Sequence, residues 1–178
     1  MTSRRYKDFK TVNVIQGDFH VSEDENVVLT TVLGSCVAAC LFDPVSGVGG
    51  MNHFLLPGDP NNPTLNKSYG LNAMELLINT MLKKGAKRSR FQAKLFGGAA
   101  MSRAFSDIGA QNAAFAKEFL KREGFPCVSQ SLGGESARRV RFWPMTGQAQ
   151  LKILSDTAVK EKLVPKPVVA PDCDIELF

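Results

Sequence analysis

The chain has 178 residues, of which 44% are hydrophobic and 22% charged, a composition typical of one globular domain with its own apolar core. Its formal net charge of +5 comes from Lys and Arg residues scattered along the sequence, and no basic run alternates with aromatic rings. This composition argues against a nucleic-acid-binding protein and is compatible with attraction to acidic protein surfaces.

The first third of the sequence predicts strands. Residues 1–10 are polar and basic, and we expect a flexible arm there. The strands expected after this arm are residues 11–16, 27–33, 36–42 and 48–56. Between the last two strands, the sequence Asp43-Pro44-Val45-Ser46-Gly47 combines a Pro that presets φ with a Gly that permits positive φ. A tight turn should therefore join these two strands into a hairpin.

The rest of the sequence predicts two helices among further strands. After a polar loop at residues 57–68, one helix is indicated by an apolar stripe at Leu71, Met74, Leu77, Ile78, Met81 and Leu82. A second helix is expected from Asn112, as N-cap, to a stop at Gly124. The remaining predicted strands are residues 93–96, 126–132, 140–143 and 150–154.

This order of elements predicts a layered fold of the α+β type. Strands and helices do not alternate in a strict βαβ repeat, so a doubly wound parallel sheet is not expected. We assign residues 11–155 to a single domain and residues 156–178 to a charged, Pro-containing tail. The apolar and acidic end of this tail is predicted to be either a frayed end or a segment that docks on the domain or on a partner.

The cysteines and the N-terminus predict a cytoplasmic protein that is not embedded in a membrane. Cys36, Cys40, Cys127 and Cys173 are irregularly spaced, which favours free thiols over a disulfide framework. The basic N-terminus is not followed by the apolar stretch of a secretion signal, and no run of about 18 apolar residues occurs. In the reducing cytoplasm these thiols would stay free and available for a catalytic reaction.

The candidate catalytic residues are a cysteine and a histidine on neighbouring predicted strands. The phosphate-binding G-x-x-x-x-G-K-[ST], H-E-x-x-H, C-x-x-C and G-x-S-x-G patterns are all absent. Only His20 and His53 could activate a thiol, and the predicted hairpin brings His53 towards Cys36. The small residues Gly34 and Ser35 allow a sharp turn that exposes the Cys36 side chain and lets its amide donate to an oxyanion.

Each of these residues also has a purely structural interpretation. A cysteine or a histidine on an apolar strand is commonly a core residue. Cys40, on the same strand face as Cys36, and Cys127 are both expected to be buried structural thiols. No second close pair of ligands accompanies them, so a zinc site is not expected.

The segment from Thr30 to Pro44, TTVLGSCVAACLFDP, and the segment GGMNHFLLP that follows from Gly49 closely resemble the CheD family of chemoreceptor glutamine deamidases. Further blocks of this resemblance follow in the family's order. They are Lys94 to Ala99, Ile108-Gly109 with Asn112, Leu132 to Gly134 with Arg138 to Val140, and Pro144 to Gly147. The resemblance covers residues 12–154.

The resemblance implies a catalytic triad of Cys, His and Thr. In this sequence the first two are Cys36 and His53, and the family's Thr, six residues before the Cys, corresponds to Thr30. On a regular strand Thr30 and Cys36 would point to the same face, whereas Thr31 would point to the other. An ordinary β-branched strand residue is the alternative for Thr30.

The resemblance further implies a layered sandwich of mixed or antiparallel β-sheets with helices on one side. It implies deamidation of glutamines on the cytoplasmic helices of chemotaxis receptors through a Cys thioester, without metal or organic cofactor, and CheC, a phosphatase, as a possible partner. Two alternatives remain open at this point. One is a methylesterase acting on glutamyl methyl esters of the same receptors, and the other is a non-catalytic regulator that binds the phosphatase.

Overall fold

The computed structural model describes residues 9–58, 61–101 and 106–154. The predicted tail and residues 1–8 of the predicted arm lie outside the described residues, whereas Lys10, the last residue of that arm, already belongs to the first strand. The described strands are, in chain order, β1 (Lys10–Asn13), β2 (Phe19–Ser22), β3 (Val27–Leu33), β4 (Val37–Asp43), β5 (Val48–Asn52), β6 (Gln92–Gly97), β7 (Cys127–Leu132), β8 (Arg138–Trp143) and β9 (Gln148–Ile153).

These strands form two stacked sheets. The outer sheet has the order β1-β3-β8-β9, with β1 parallel to β3 and the other pairs antiparallel. The inner sheet has the order β2-β5-β4-β6-β7, with only β6 and β7 parallel. The chain passes from the outer to the inner sheet between β3 and β4, at the bend formed by residues 34–36.

Two helices cover the far side of the inner sheet. Helix α1 (Pro63–Lys83) starts earlier than predicted, because the Asn62 side chain caps it by accepting from the Leu65 N–H at 3.0 Å. Helix α2 (Ser106–Glu123) ends before Gly124 as predicted, but Asn112 lies inside it, so the prediction of Asn112 as N-cap was wrong. Neither of these helices has the length and apolar character that crossing a membrane would require.

Two apolar cores join these three layers. The core between the sheets contains Leu29 and Phe142 from the outer sheet and Cys40 and Met51 from the inner sheet. The core between the inner sheet and the helices includes Leu77 of α1. Full burial of a side chain as large as Leu, Met or Phe contributes roughly 1.5–3 kcal/mol to the free energy of unfolding. The layered α+β architecture predicted from the sequence, with helices on one side, is confirmed.

The turn between β4 and β5 is fixed by a buried carboxylate. Asp43 is paired with Arg90, whose Nε donates to it at 2.9 Å, and it also accepts the backbone N–H groups of Val45 and Lys87. Burial raises the pKa of Asp43, but these hydrogen bonds outweigh burial and hold that pKa well below its usual range. The predicted hairpin is therefore present, and its register is firmly set.

Candidate active site

Cys36 lies at the bend where the chain changes sheets. The bend is hydrogen-bonded to the loop that follows β6, since the Gly98 N–H donates to the Cys36 carbonyl at 2.7 Å and the Ala99 N–H donates to the Gly34 carbonyl at 2.8 Å. Gly97, the last residue of β6, has a φ of +111°, and a Cβ there would lie 2.1 Å from the Cys36 carbonyl oxygen. Glycine at this position is therefore required for the close approach of the two segments.

The hairpin places Cys36 and His53 on one face of the inner sheet. Val37 and Phe54 exchange both backbone hydrogen bonds, at 3.0 and 2.9 Å, in the same antiparallel register as Cys40 with Met51. Counting from this pair sets His53 across from Ala38. His53 contacts Thr31 of the outer sheet and Cys36 belongs to the core between the sheets, so both lie on the side of the inner sheet that is turned to the outer sheet. The predicted pairing of the two strands is present, and the approach of the His53 imidazole to the Cys36 thiol stays a prediction.

The imidazole of His53 is held from the outer sheet. Its Nδ1 lies 2.9 Å from Thr31 Oγ1 and 3.2 Å from the Val14 carbonyl, and the Thr31 hydroxyl donates to the same carbonyl at 2.7 Å. Since the Thr31 proton is used in that bond, Nδ1 carries the ring proton and donates it to these two oxygens. The other nitrogen, Nε2, is buried and has no hydrogen-bond partner among the described residues, so it is the nitrogen that can accept a proton.

The protonation state of His53 suits a base. The side chain is 7% exposed. Burial lowers the pKa of His53 below its usual value, and the hydrogen bond to the Val14 carbonyl only partly opposes this. Because a lowered pKa keeps the imidazole neutral at neutral pH, its Nε2 lone pair is available there.

The threonine that contacts His53 is not the one predicted. Thr30 points to the opposite face of β3, where its hydroxyl donates to the Val140 carbonyl at 3.0 Å, while Thr31 contacts His53. The parity argument failed because it counted residues across the bend at 34–36, where the regular alternation of β3 ends and the chain changes sheets. The pairing of Thr30 with His53 was wrong.

Two further residues of the site did not emerge as site residues from the sequence. Gln16, on the loop after β1, accepts a hydrogen bond from the Cys36 thiol, with 3.5 Å between Oε1 and Sγ. Asn112 is fully buried, and its side chain accepts from the Leu56 N–H at 2.8 Å and donates to the Ser35 carbonyl at 3.0 Å. Asn112 thereby ties α2 to the residue before Cys36 and to the segment after His53.

Comparison with known proteins identifies the family. The family model described as CheD chemotactic sensory transduction matches residues 55–153. A protein of Caulobacter sp. (strain K31), named "Probable chemoreceptor glutamine deamidase CheD", is 56% identical, over 94% of this chain and 92% of its own length. The chain belongs to the CheD family. Relatives with the same name are 52% identical in Rhizobium rhizogenes (strain K84), over 95% and 96% of the two chains, and 51% identical in Agrobacterium fabrum (strain C58), over 95% and 97%.

Among solved structures, protein NMB0706 of Neisseria meningitidis is similar to this CheD family chain with 12% sequence identity and a TM-score of 0.45, over 72% of this chain and 64% of the other.

The other cysteines that the structure describes in this CheD family protein differ from Cys36 in their surroundings. Cys40 is fully buried, as predicted, and burial raises the pKa of its thiol far above the usual range. Cys127 was predicted to be buried but is exposed at the start of β7, the last strand of the inner sheet. All three described cysteines are free. In the described part of the chain, no three His, Cys, Asp or Glu side chains converge as metal ligands would.

A cavity of about 230 Å³ lies beside the Cys36 bend of this CheD family protein. It is bordered by Gly98, whose N–H donates to the Cys36 carbonyl, and by Lys117 of α2. Its other lining residues are Ala100, Ala110, Ala113, Leu132, Gly133 and Gly134. The small side chains leave room next to the bend that contains Cys36.

Proposed function

We propose that this CheD family protein is a cysteine-dependent protein-glutamine deamidase that converts glutamines on the cytoplasmic helices of chemotaxis receptors to glutamate. The relatives named above support this choice of reaction and substrate. The observation that carries the proposal is the state of His53: its Nδ1 is held by Thr31 and Val14, and its buried Nε2 is unpartnered among the described residues. Such a ring is prepared to take a proton from a thiol on the same strand face.

In the first half of the proposed reaction, His53 Nε2 takes the proton of the Cys36 thiol. The resulting thiolate attacks the carboxamide carbon of the substrate glutamine and forms a tetrahedral intermediate. The imidazolium then gives its proton to the leaving nitrogen, so that ammonia departs and a thioester with Cys36 remains. Thr31 takes the role that the sequence assigned to Thr30, because it keeps the ring proton on Nδ1 throughout.

In the second half, His53 Nε2 takes a proton from a water molecule as the water attacks the thioester carbon. Collapse of this second intermediate releases the glutamate side chain, and the Cys36 sulfur regains its proton from the imidazolium. The sequence of steps requires no metal and no organic cofactor. Each turnover replaces a neutral amide with a carboxylate, which changes the electrostatics of the receptor helix.

The proposal places the protein in the cytoplasm, where the thiol of Cys36 stays reduced. CheC is the proposed regulatory partner, following the resemblance of the sequence to the family. The protein's net positive charge of +5 favours approach to acidic receptor surfaces.

Mass spectrometry of a receptor cytoplasmic fragment tests the enzyme assignment. We expect the intact protein to convert specific glutamines to glutamate and the Cys36→Ala variant to leave them unchanged. Cys40→Ala is the matched control, because Cys40 lies on the same strand face but is fully buried and has no part in the proposed chemistry. Conversion that persists in Cys36→Ala would refute the assignment.

Product analysis in the same assay separates the alternatives. A glutamyl methylesterase would release methanol from methylated receptor, whereas the proposed deamidase releases ammonia from unmodified receptor. A non-catalytic regulator of CheC would release neither product and would still bind CheC after the Cys36→Ala substitution.

A further inference from the structure

Gln16 covers the sulfur of Cys36. The residue is exposed, yet its side-chain oxygen lies 3.5 Å from Cys36 Sγ, while Cys36 itself is only 4% exposed. A contact of this length is within the range of a hydrogen bond from a thiol, since sulfur is larger than oxygen. The Gln16 carboxamide is therefore one of the groups that pack on the Cys36 sulfur.

The backbone beneath Gln16 is fixed on both sides. Residues 15–18 form a tight turn in which the Asp18 N–H donates to the Ile15 carbonyl at 3.0 Å and Gly17 has a φ of +90°, the pattern of a type II turn. The turn is bound to His53 twice, through Gly17 N–H to the His53 carbonyl at 2.7 Å and His53 N–H to the Asp18 carbonyl at 3.0 Å. Because this backbone is held in place, Gln16 leaves the Cys36 sulfur by rotation of its side chain.

The position of this carboxamide conflicts with that of the substrate. A substrate glutamine must bring its carboxamide carbon to within about 3–3.5 Å of the attacking sulfur. The Gln16 oxygen lies 3.5 Å from that sulfur, where it competes with the substrate carboxamide for the approach to Cys36. Both carry the same functional group and can make the same hydrogen bonds.

We propose that the Gln16 side chain is an internal stand-in for the substrate carboxamide, which covers Cys36 at rest and is displaced by the glutamine of the receptor. This inference rests on the proposed deamidase function. Displacing the Gln16 side chain costs only its hydrogen bond from the thiol, a bond that is lost in any case when His53 takes the thiol proton.

The rate of Cys36 alkylation by iodoacetamide tests the cover without any receptor. In the full-length protein with Gln16→Ala, we expect Cys36 to be alkylated about two- to tenfold faster than in the unsubstituted protein, the effect of losing one hydrogen-bonded cover. Ile15→Ala is the matched control, because Ile15 is 57% exposed in the same turn and should leave the rate unchanged. Peptide mapping assigns the label to Cys36 rather than to the exposed Cys127.

The steady-state kinetics of receptor deamidation provide the second readout. A displaced stand-in predicts a lower KM in Gln16→Ala with an unchanged kcat, since the substrate no longer competes with an internal group. An unchanged alkylation rate would overturn the inference. A lower kcat or a higher KM in Gln16→Ala would also overturn it, because Gln16 would then be a group that assists the substrate. Conversion of Gln16 itself to glutamate by Cys36 would overturn it as well. Because alkylation needs no receptor, this test remains decisive even if no receptor is deamidated.

Discussion

The orientation of His53 depends on one hydroxyl group from the other sheet. Thr31 Oγ1 donates to the Val14 carbonyl and accepts from His53 Nδ1, which closes a ring of three groups with separations of 2.7, 2.9 and 3.2 Å. The neighbouring Thr30 points to the opposite face of β3, and its hydroxyl donates to the Val140 carbonyl. The two residues are chemically identical and lie on opposite faces of β3, with Thr31 buried and Thr30 half-buried, so Thr30 can serve as a control for Thr31.

Thr31→Val should lower kcat by about tenfold, because the isosteric side chain removes one of the two acceptors of the ring proton and loosens the imidazole. Loss of this buried hydrogen bond should also cost about 1–3 kcal/mol of unfolding free energy. Deamidation kinetics and urea unfolding measure these effects.

Thr30→Val serves as the control for this substitution and should change kcat by less than about twofold, since the Thr30 hydroxyl does not face the site. If Thr30→Val were the damaging variant and Thr31→Val harmless, the family-based assignment of Thr30 would be correct, and the hydroxyl of Thr31 would have no part in orienting His53 for catalysis.

At the scale of elements, the bend at Cys36 is positioned by the end of β6 rather than by its own strand. The Gly97 backbone lies so close to the Cys36 carbonyl that only a residue without a Cβ fits, and the next residue, Gly98, donates to that carbonyl. The structure offers a comparison at Gly85, which follows α1 with a similar φ of +93° but has no atom within 4 Å of the Cβ position.

Substituting alanine at these two glycines separates backbone strain from collision. Gly85→Ala should cost about 1–2 kcal/mol of unfolding free energy, the effect of a positive φ alone. Gly97→Ala should cost more, because the Cys36 carbonyl must also move, and it should change the alkylation rate of Cys36. Urea unfolding and iodoacetamide labelling measure both effects. Equal costs for the two variants, with unchanged labelling, would show that the approach of β6 does not position the nucleophile.

The elements that the sequence predicted well are those whose local signals and tertiary surroundings agree. Strand β3 was predicted with its correct ends, and the hairpin of β4 and β5 followed from the Asp43 to Gly47 turn. The start of α1 was missed because its first turns are largely exposed and carry no apolar stripe, although Asn62 and Pro63 are good start signals. Strand β2 was missed because it has only four residues at a sheet edge.

Site residues were predictable where one strand pairing decides their position, and not where several segments meet. The placement of Cys36 and His53 on two paired segments follows from a single hairpin. Asn112 lies within a helix, although Asn has a low helix propensity. Its two hydrogen bonds to distant backbone groups compensate for this low propensity. The contacts of Thr31 and Gln16 depend on how the loop after β1 crosses between the sheets, which no local pattern encodes.

At the scale of the whole molecule, the site spans the interface between the two sheets. Cys36 and His53 adjoin strands of the inner sheet, whereas Thr31 belongs to the outer sheet and Val14 follows its first strand. The alignment of imidazole and thiol therefore requires that the sheets stay in register. The core between the sheets maintains this register, while the core beneath the helices lies on the far side of the inner sheet.

Two fully buried leucines allow the contribution of each core to be compared. Leu29 lies two residues before Thr31 on the same face of β3, between the sheets, and Leu77 lies on α1 in the core beneath the helices. Both Leu→Ala substitutions should lower the unfolding free energy by about 2–5 kcal/mol, because each leaves a cavity.

At a temperature where both variants are folded, kcat should fall severalfold in Leu29→Ala and stay near the unsubstituted value in Leu77→Ala. This difference arises because only the first cavity lets the sheet that carries Thr31 shift relative to His53. Equal losses of kcat in the two variants would mean that general stability, rather than the register of the sheets, sets the geometry of the site.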